Sequence, residues 1–263
     1  MYGRQEPLAR PLFRPDWLPD GMTHRTCSSR RREQSLIAWE GPPTGPMAGS
    51  RVVSVRVDSD VDVSATYRGW RSGPAVPVHG RPARLCTDPE DGHTSLSWKY
   101  APDATVTVLG TNLPRPAETL RRIAEGLVWA EQPVRVPFLA VTPPDGARWD
   151  GTVVDWRDGR WHRARCGYRL IGSAGPHEDL TVGVVRDDPD GTTVAERTVR
   201  VDGAPSGLGT YRVGGLGADC AAEVAAFTIR GLAALGGPDG ALALAATVRL
   251  VDRPGDESTW RLP

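Results

Sequence analysis

The residues of this chain that could carry out chemistry are few and scattered. Its five histidines stand alone, without the spacing that places two imidazoles on one metal ion. Its four cysteines lack a CxxC spacing, so they do not predict a zinc site. They are Cys27, Cys86, Cys166 and Cys220. We therefore expect no metal site and no cofactor.

Motifs for hydrolysis and nucleotide binding are missing too. The sequence around Ser206 reads Ala-Pro-Ser-Gly-Leu, with Ala and Leu where a nucleophile elbow needs glycines. The glycine-rich segment 203–217 has no P-loop lysine, because Lys99 is the only lysine of the chain. No catalytic residue is predicted, which favours a non-enzymatic role. The alternative is an enzyme of unrecognised type, such as a hydrolase that uses Asp and His residues at a domain junction.

Tryptophan and arginine concentrate near the middle of the chain. There are 9 Trp against 5 Tyr and 3 Phe, and three of the tryptophans fall within thirteen residues. An indole offers a large apolar face and one N–H donor, which suits a sugar or a protein partner. The predicted ligand-binding residues are Trp149, Trp156, Arg157, Arg160, Trp161 and Arg163. The alternative is that these tryptophans fill the core of short strands.

The charge balance limits the class of partner. The 263 residues include 32 basic and 32 acidic side chains, so the formal net charge is +0. This argues against a nucleic-acid binder that relies on a positive field. We expect instead a protein, small-molecule or glycan ligand. The 30 Gly and 24 Pro break the chain into short elements and exclude long helical bundles and coiled coils.

The cysteines also bear on the cellular compartment. Two lie in each half of the chain, so the natural pairs are Cys27 with Cys86 and Cys166 with Cys220, among three connectivities. The alternative is four reduced, buried thiols, because disulfides form only in an oxidising compartment. The sequence shows neither a signal peptide nor about 18 consecutive apolar residues. It predicts a cytoplasmic protein, or an extracytoplasmic one whose membrane anchor is absent from this chain.

Alternating apolar and polar residues predict strands in the first half, and a helical spacing follows them. Period-2 alternation of this kind is typical of an antiparallel sheet with one covered face. The predicted strands are Glu33–Trp39, 51–58, 76–83 with a tight turn at Gly80, 94–100 and 105–109. Segment 114–129 carries Leu120, Ile123, Ala124 and Leu127 at helical spacing, so we expect an amphipathic helix that covers the sheet.

The second half resembles the first in outline. Strands are predicted at 151–156, 161–170, 180–186, 196–201 and 242–251, and a helix at 218–235. The motif Val-x-Gly-x-Pro occurs at 78–82 and again at 201–205. These features indicate two diverged copies of one unit. A single α+β domain with an accessory strand layer is the alternative.

The predicted fold class is therefore α+β, with two related units, each a mostly antiparallel sheet covered by one helix. Residues 1–15 are predicted to be a disordered or loosely docked arm. The first unit is placed at residues 16–141 and the second, diverged unit at 142–263.

The order of motifs in the first half carries a family resemblance. It consists of Trp-Leu-Pro-Asp-Gly-Met at 17–22, the Val-x-Gly-x-Pro-Ala turn at 78–83, a tryptophan-centred strand at 96–98 and the helix segment 120–127. This order resembles extracytoplasmic domains of unknown function from high-GC Gram-positive bacteria, often found behind the membrane helix of anti-sigma-factor-like or lipoprotein-like chains. The resemblance implies a binding or sensing module of the bacterial cell envelope. A cytoplasmic accessory or scaffold protein is the alternative.

Overall fold

The computed structural model shows a mostly β protein. It describes residues 12–30, 33–41, 49–58, 71–88, 90, 92–102, 104–130, 134–139, 141–173, 178–186, 199–201, 204–216 and 220–262. Strands make up 53% of the structure and helices 15%. The chain divides into unit 1, Met1–Pro133 with Trp156–Gly159, and unit 2, Val134–Asp155 with Arg160–Pro263. The predicted α+β class, with one helix covering each sheet, is wrong.

The described residues of unit 1 form a seven-stranded antiparallel sheet, one α-helix and a separate two-stranded ribbon. Its elements are β1 (Leu12–Pro15), β2 (His24–Arg30), β3 (Glu33–Trp39), β4 (Val52–Asp58), β5 (Arg71–Val78), β6 (Arg81–Asp88), β7 (His93–Ala101), β8 (Ala104–Thr111), α1 (Pro116–Glu125) and β9 (Leu127–Ala130). The strands of the sheet follow the order β2-β3-β4-β8-β7-β6-β5, and β1 pairs with β9. The prediction of antiparallel sheet is confirmed.

The core of unit 1 lies between α1 and one face of this sheet. Val55 of β4 stands opposite Val108 of β8, and both are buried. Leu120, Ile123 and Ala124 of α1 belong to the same core cluster. Burying a side chain of Leu or Ile size stabilises a fold by about 1.5–3 kcal/mol, so this apolar face fixes the position of α1.

A two-residue turn connects β5 to β6. His79 and Gly80 have φ angles of 49° and 74°, and Val78 stands directly opposite Arg81. Positive φ at both central residues is the conformation of a type I′ turn, which favours Asn or Asp followed by Gly. Histidine is uncommon at the first position, and its ring contacts α1, as described below.

Strand β5 is the outermost described strand of unit 1. It contains Pro74 and Pro77, and its register with β6 shifts between Ser72 and Ala75. Proline has no N–H to donate to a ladder, so it is tolerated at an edge strand or a bulge. Both conditions are met here.

Unit 2 contains a five-stranded sheet, a short hairpin and two helices. Its elements are β10 (Ala147–Arg157), β11 (Arg160–Leu170), β12 (Leu180–Arg186), β13 (Val199–Val201), β14 (Ala204–Leu208), β15 (Thr210–Val213), β16 (Cys220–Ala226), α2 (Ile229–Ala234), α3 (Gly237–Ala245) and a 3-10 turn (Glu257–Thr259). The sheet order is β15-β16-β12-β11-β10, and β13 pairs with β14. The last two residues of β10 fall in unit 1.

The predicted helix at 218–235 is wrong, because the first part of it is strand β16. This strand lies between β12 and β15, and all seven of its residues are buried. A strand that is buried on both faces shows no alternation, and burial overrides the helical propensity of its alanines. Within the described residues of the predicted range, only the short α2 is helical. The predicted strand at 242–251 is also wrong, because it begins inside α3.

The predicted arm is partly structured. Residues 12–15 form β1, where Phe13 is buried, and residues 1–11 lie outside the described residues. The second Val-x-Gly-x-Pro motif cannot be compared with the first, since Asp202 and Gly203 also lie outside them. Across the part of the chain that the structure describes, every helix is too short or too polar to cross a membrane.

Candidate ligand-binding site

A cavity of about 270 Å³ opens in unit 1. It is lined by Phe13, His79, Arg81, Trp98, Tyr100 and Leu127. Phe13, Trp98 and Leu127 are buried and form the floor, whereas His79 and Arg81 are exposed at the mouth. Tyr100 is half-buried between them. The site is thus aromatic inside and basic at its opening.

The strand register brings two of these side chains to one face of the sheet. Ala83 of β6 stands opposite Trp98 of β7. Since side chains alternate along a strand, Arg81 shares a face with Ala83. Tyr100 lies at the register shift of β7 between Lys99 and Ala101, and it lines the same cavity as Trp98. The face that carries Arg81 and Trp98 is the one that α1 covers farther along the strands, so the cavity lies beside the core of unit 1.

The ribbon of β1 and β9 supplies the other wall. Pro15 of β1 stands opposite Leu127 of β9, and Phe13 lies two residues before Pro15. Phe13 and Leu127 therefore project from the same face of the ribbon. Phe13 meets Tyr100 edge to face, with ring centroids 5.2 Å apart and an interplanar angle of 81°. This is a favourable aromatic geometry and fixes one side of the Tyr100 ring.

Arg81 is held in place by the strand that carries Tyr100. Its Nη1 donates to the backbone oxygens of Tyr100 and of Lys99, the latter at 3.2 Å. Its Cζ lies 5.1 Å from the centre of the Tyr100 ring. No carboxylate is among the described residues that line the cavity, and Arg81 forms no ion pair with any of the described residues. Within the described part of the chain, the fixed positive charge at the cavity mouth thus has no counter-ion.

His79 connects the mouth of the cavity to α1. Its Nε2 lies 2.9 Å from the backbone oxygen of Ala124, so this nitrogen carries the proton and donates it to the carbonyl. Ala124 is in the last turn of α1. The hydrogen bond compensates for an unusual residue in the turn and fixes the imidazole at the edge of the cavity.

The tryptophans that the sequence singled out lie elsewhere. Trp156 is buried in unit 1, where the Cζ of Arg25 lies 4.4 Å from its ring centre. Trp161 is buried in unit 2. Trp149, also in unit 2, is half-buried and donates its indole N–H to Thr152 Oγ1 at 3.3 Å. None of the three lines the cavity.

Trp161 is enclosed by an aromatic ring and a cation. Trp260 meets it edge to face with centroids 6.3 Å apart, and the Cζ of Arg186 lies 4.6 Å from its ring centre. Trp161 is only 4% exposed. In this arrangement the indole contributes to packing within unit 2.

Of the three arginines predicted to bind a ligand, two are exposed and one forms an ion pair within unit 2. Arg157 and Arg160 are exposed. Arg163 pairs with Glu223, whose side chain is 3% exposed and also accepts two hydrogen bonds from Arg212, at 2.8 and 3.0 Å. The structure thus assigns Arg163 an internal partner. A binding role for these six residues stays a prediction.

A second buried carboxylate, Asp179, connects three segments of unit 2. It accepts hydrogen bonds of 2.8 Å from Leu170 N, Ser173 Oγ and Thr228 Oγ1. Burial raises the pKa of Asp179, but the hydrogen bonds from these three groups and the charge of Arg230 outweigh it, so the pKa is lowered. Asp179 is therefore a structural anion rather than an acid available for proton transfer.

The two disulfides proposed from the sequence do not fit this fold. Four strands separate β2, with Cys27, from β6, with Cys86, which is a distance of roughly 24 Å across a sheet. One strand separates Cys166 on β11 from Cys220 on β16, or roughly 10 Å. Both exceed the Cα separation of about 7 Å at which a disulfide can close. The structure holds all four cysteines as buried thiols, and burial raises the pKa of Cys166 to about 12.

The chemical groups that line the cavity are aromatic rings, one aliphatic side chain and two basic side chains. Among the described residues there is no group of three His, Cys, Asp or Glu side chains that could hold a metal ion. The six described residues that line the cavity include no Ser, Thr, Cys, Asp or Glu. They can provide stacking surfaces, one guanidinium and one imidazole.

Comparison with models of known protein families and with curated protein sequences finds no match for this chain. The resemblance to extracytoplasmic domains therefore stays a prediction that rests on the sequence motifs.

Proposed function

We propose that this protein is a non-enzymatic binding module whose ligand site is the cavity of unit 1. The observation that carries the proposal is the unfilled volume of about 270 Å³ beside three aromatic side chains. Well-packed interiors leave few voids larger than a water molecule. An aromatic-lined cavity with a few polar groups at its mouth is the usual form of a small-molecule site.

The size of the cavity indicates a small ligand. Sites for drug-sized molecules typically measure roughly 300–1,000 Å³. The cavity is slightly below this range and has room for one ring system with a short substituent. A nucleotide or a long lipid chain would exceed it. Phe13, Trp98 and Tyr100 provide ring faces and edges against which a flat apolar group can pack.

The cell envelope is the setting that we propose for this binding or sensing role. It is supported by the sequence resemblance over roughly residues 15–130. The alternative settings make the same prediction for the cavity, because the site is formed entirely by side chains of unit 1.

The test is the binding of an uncharged aromatic probe, naphthalene-2-methanol, measured by saturation-transfer NMR on the full chain. We expect transfer to the naphthalene protons and a shift of one tryptophan indole N–H signal, that of Trp98. Tyr100→Ala should weaken binding by removing one wall. Phe227→Ala removes an aromatic ring that is 47% exposed in unit 2, and it should leave binding unchanged.

Circular dichroism would show that both variants remain folded. Equal loss of binding in the two variants, or no transfer to the probe at all, would overturn the assignment of the site.

A further inference from the structure

We propose that the natural ligand of the unit 1 cavity is a small aromatic acid whose carboxylate pairs with Arg81. This inference rests on the proposed function and specifies the class of ligand. It requires a negative group attached to the ring or one carbon away from it.

The positive charge of Arg81 at the cavity mouth is not balanced by any described residue. Arg81 forms no ion pair with the described residues, and the six lining residues include no carboxylate. A guanidinium stays protonated at every physiological pH. A cationic ligand would be repelled by this group, and an uncharged ligand would leave it without a counter-ion. An anionic ligand supplies the missing charge.

Backbone hydrogen bonds fix the guanidinium of Arg81 through one of its nitrogens. Nη1 is occupied by the backbone oxygens of Lys99 and Tyr100. Nε and Nη2 donate to no described residue, and these two nitrogens form the edge that binds a carboxylate through two parallel hydrogen bonds. The backbone contacts hold this edge in place before a ligand arrives, which reduces the ordering cost of binding.

The charge of Arg81 lies close to the aromatic ring of Tyr100, which forms one wall of the cavity. Arg81 Cζ lies 5.1 Å from the centre of the Tyr100 ring. A short acidic substituent is therefore long enough for a ligand ring that packs beside Tyr100 to reach Arg81. His79, fixed by its bond to Ala124 O, adds a second polar group at the same opening.

The experiment compares two probes that share a ring and a shape but differ in charge, naphthalene-2-carboxylate and naphthalene-2-carboxamide. Their dissociation constants are measured by calorimetry on the full chain at neutral pH and low salt. We expect the carboxylate to bind at least about 10-fold more tightly, since its two oxygens accept charge-assisted hydrogen bonds from the guanidinium and the carboxamide accepts only a neutral one. Arg81→Gln should remove this preference and leave the affinity for the carboxamide unchanged.

Two further variants sharpen the result. Arg81→Lys keeps the charge but loses the two-pronged contact, so we expect an intermediate preference. Arg160→Gln is the matched control, since Arg160 is exposed and lies outside the cavity. It should behave like the unmodified protein.

Each remaining outcome has a distinct meaning. Equal affinity for the two probes overturns the choice of an acid and leaves the binding function intact. Binding of neither probe overturns the binding function and this inference together. A preference that is lost in Arg160→Gln but kept in Arg81→Gln overturns Arg81 as the anion contact. Tighter binding of N-acetylphenylalanine than of the naphthalene acid overturns the short acidic substituent in favour of the carboxyl end of a peptide.

Discussion

Both units place an arginine over an aromatic ring, but they use the pair differently. In unit 1 the Cζ of Arg81 lies 5.1 Å from the Tyr100 ring beside an open cavity. In unit 2 the Cζ of Arg186 lies 4.6 Å from Trp161, which is buried. The contact geometry is similar, and the difference is the unfilled space. Arg186 and Trp161 therefore pack against each other within unit 2, whereas Arg81 and Tyr100 border a cavity, which is why the proposed site lies in unit 1.

The largest effect should come from the enclosed ring of unit 2. Trp161→Ala would leave a cavity against Trp260, and we expect a loss of about 3–5 kcal/mol in the free energy of unfolding. Urea denaturation measures it. Trp149→Ala is the control, since Trp149 is half-buried and should cost clearly less. Equal effects would show that Trp161 is not a packing residue and would reopen its predicted role in binding.

Unit 1 should show a comparable cost beneath α1. Ile123 is fully buried in the core cluster, so Ile123→Ala should reduce stability by about 2–5 kcal/mol. Arg121→Ala on the exposed side of α1 is the control. A change below about 0.5 kcal/mol for Ile123→Ala would contradict the packing of α1 on the sheet.

Replacing Asp179 of unit 2 should have a medium effect on the free energy of unfolding, and this effect should depend on pH. Asp179→Ala removes the acceptor of three hydrogen bonds, including one from Leu170 N, and should cost about 1–3 kcal/mol at neutral pH. The pKa of Asp179 is lowered in the folded protein. Its contribution is thus complete above the unfolded pKa of about 3.9 and is lost as the pH falls through the folded value.

Denaturation curves at several pH values test this sign. The stability of the unmodified protein should fall more steeply in acid than that of Asp179→Ala. Parallel pH profiles for the two proteins would show that Asp179 carries no such linkage.

Arg81 should show the reverse behaviour, with a small effect on stability and a large one on the ligand. It is exposed, so we expect Arg81→Gln to change the free energy of unfolding by less than about 0.5 kcal/mol. Urea denaturation alongside the calorimetry separates the two properties. A loss above about 2 kcal/mol would mean that Arg81 supports the fold, and the contrast between the two arginine–aromatic pairs would disappear.

Reducing agent should have the smallest effect of all. Neither proposed cysteine pair can close in this sheet order, so the melting temperature should be the same with and without dithiothreitol. Mass spectrometry of the denatured protein after thiol alkylation should count four modified cysteines. A count of zero would show that all four cysteines are paired and would contradict the four buried thiols of this structure.

The sequence allowed the strands rich in β-branched and large apolar residues to be predicted, but not the alanine-rich strand β16. β3 and β12 occur at the predicted residues, because apolar character and short length mark them. β16 was assigned to a helix, since Cys-Ala-Ala-Glu-Val-Ala-Ala has good helical propensity and its burial on both faces depends on neighbours distant in the sequence. Because the first part of the predicted helix at 218–235 is strand β16, the prediction that one helix covers each sheet is wrong as well.

The site could not be predicted for a related reason. Phe13, Arg81 and Tyr100 come from separate strands, and only the register of β6 with β7 and the pairing of β1 with β9 bring them together. The turn at residues 78–83 was recognised as a folding motif. An additional signal was available there, since a histidine at the first position of a His-Gly turn is unfavourable unless its ring has another role.

The outer strand of unit 1 has a consequence for self-association. An exposed strand edge is a template on which a second chain can add a strand, and proline and bulges are the usual protection against it. β5 has both, with Pro74 at the register shift and Pro77 beyond it. Growth of cross-β aggregates from this edge is therefore disfavoured by the covalent structure of the strand itself, and replacing Pro77 would add an N–H donor that such growth can use.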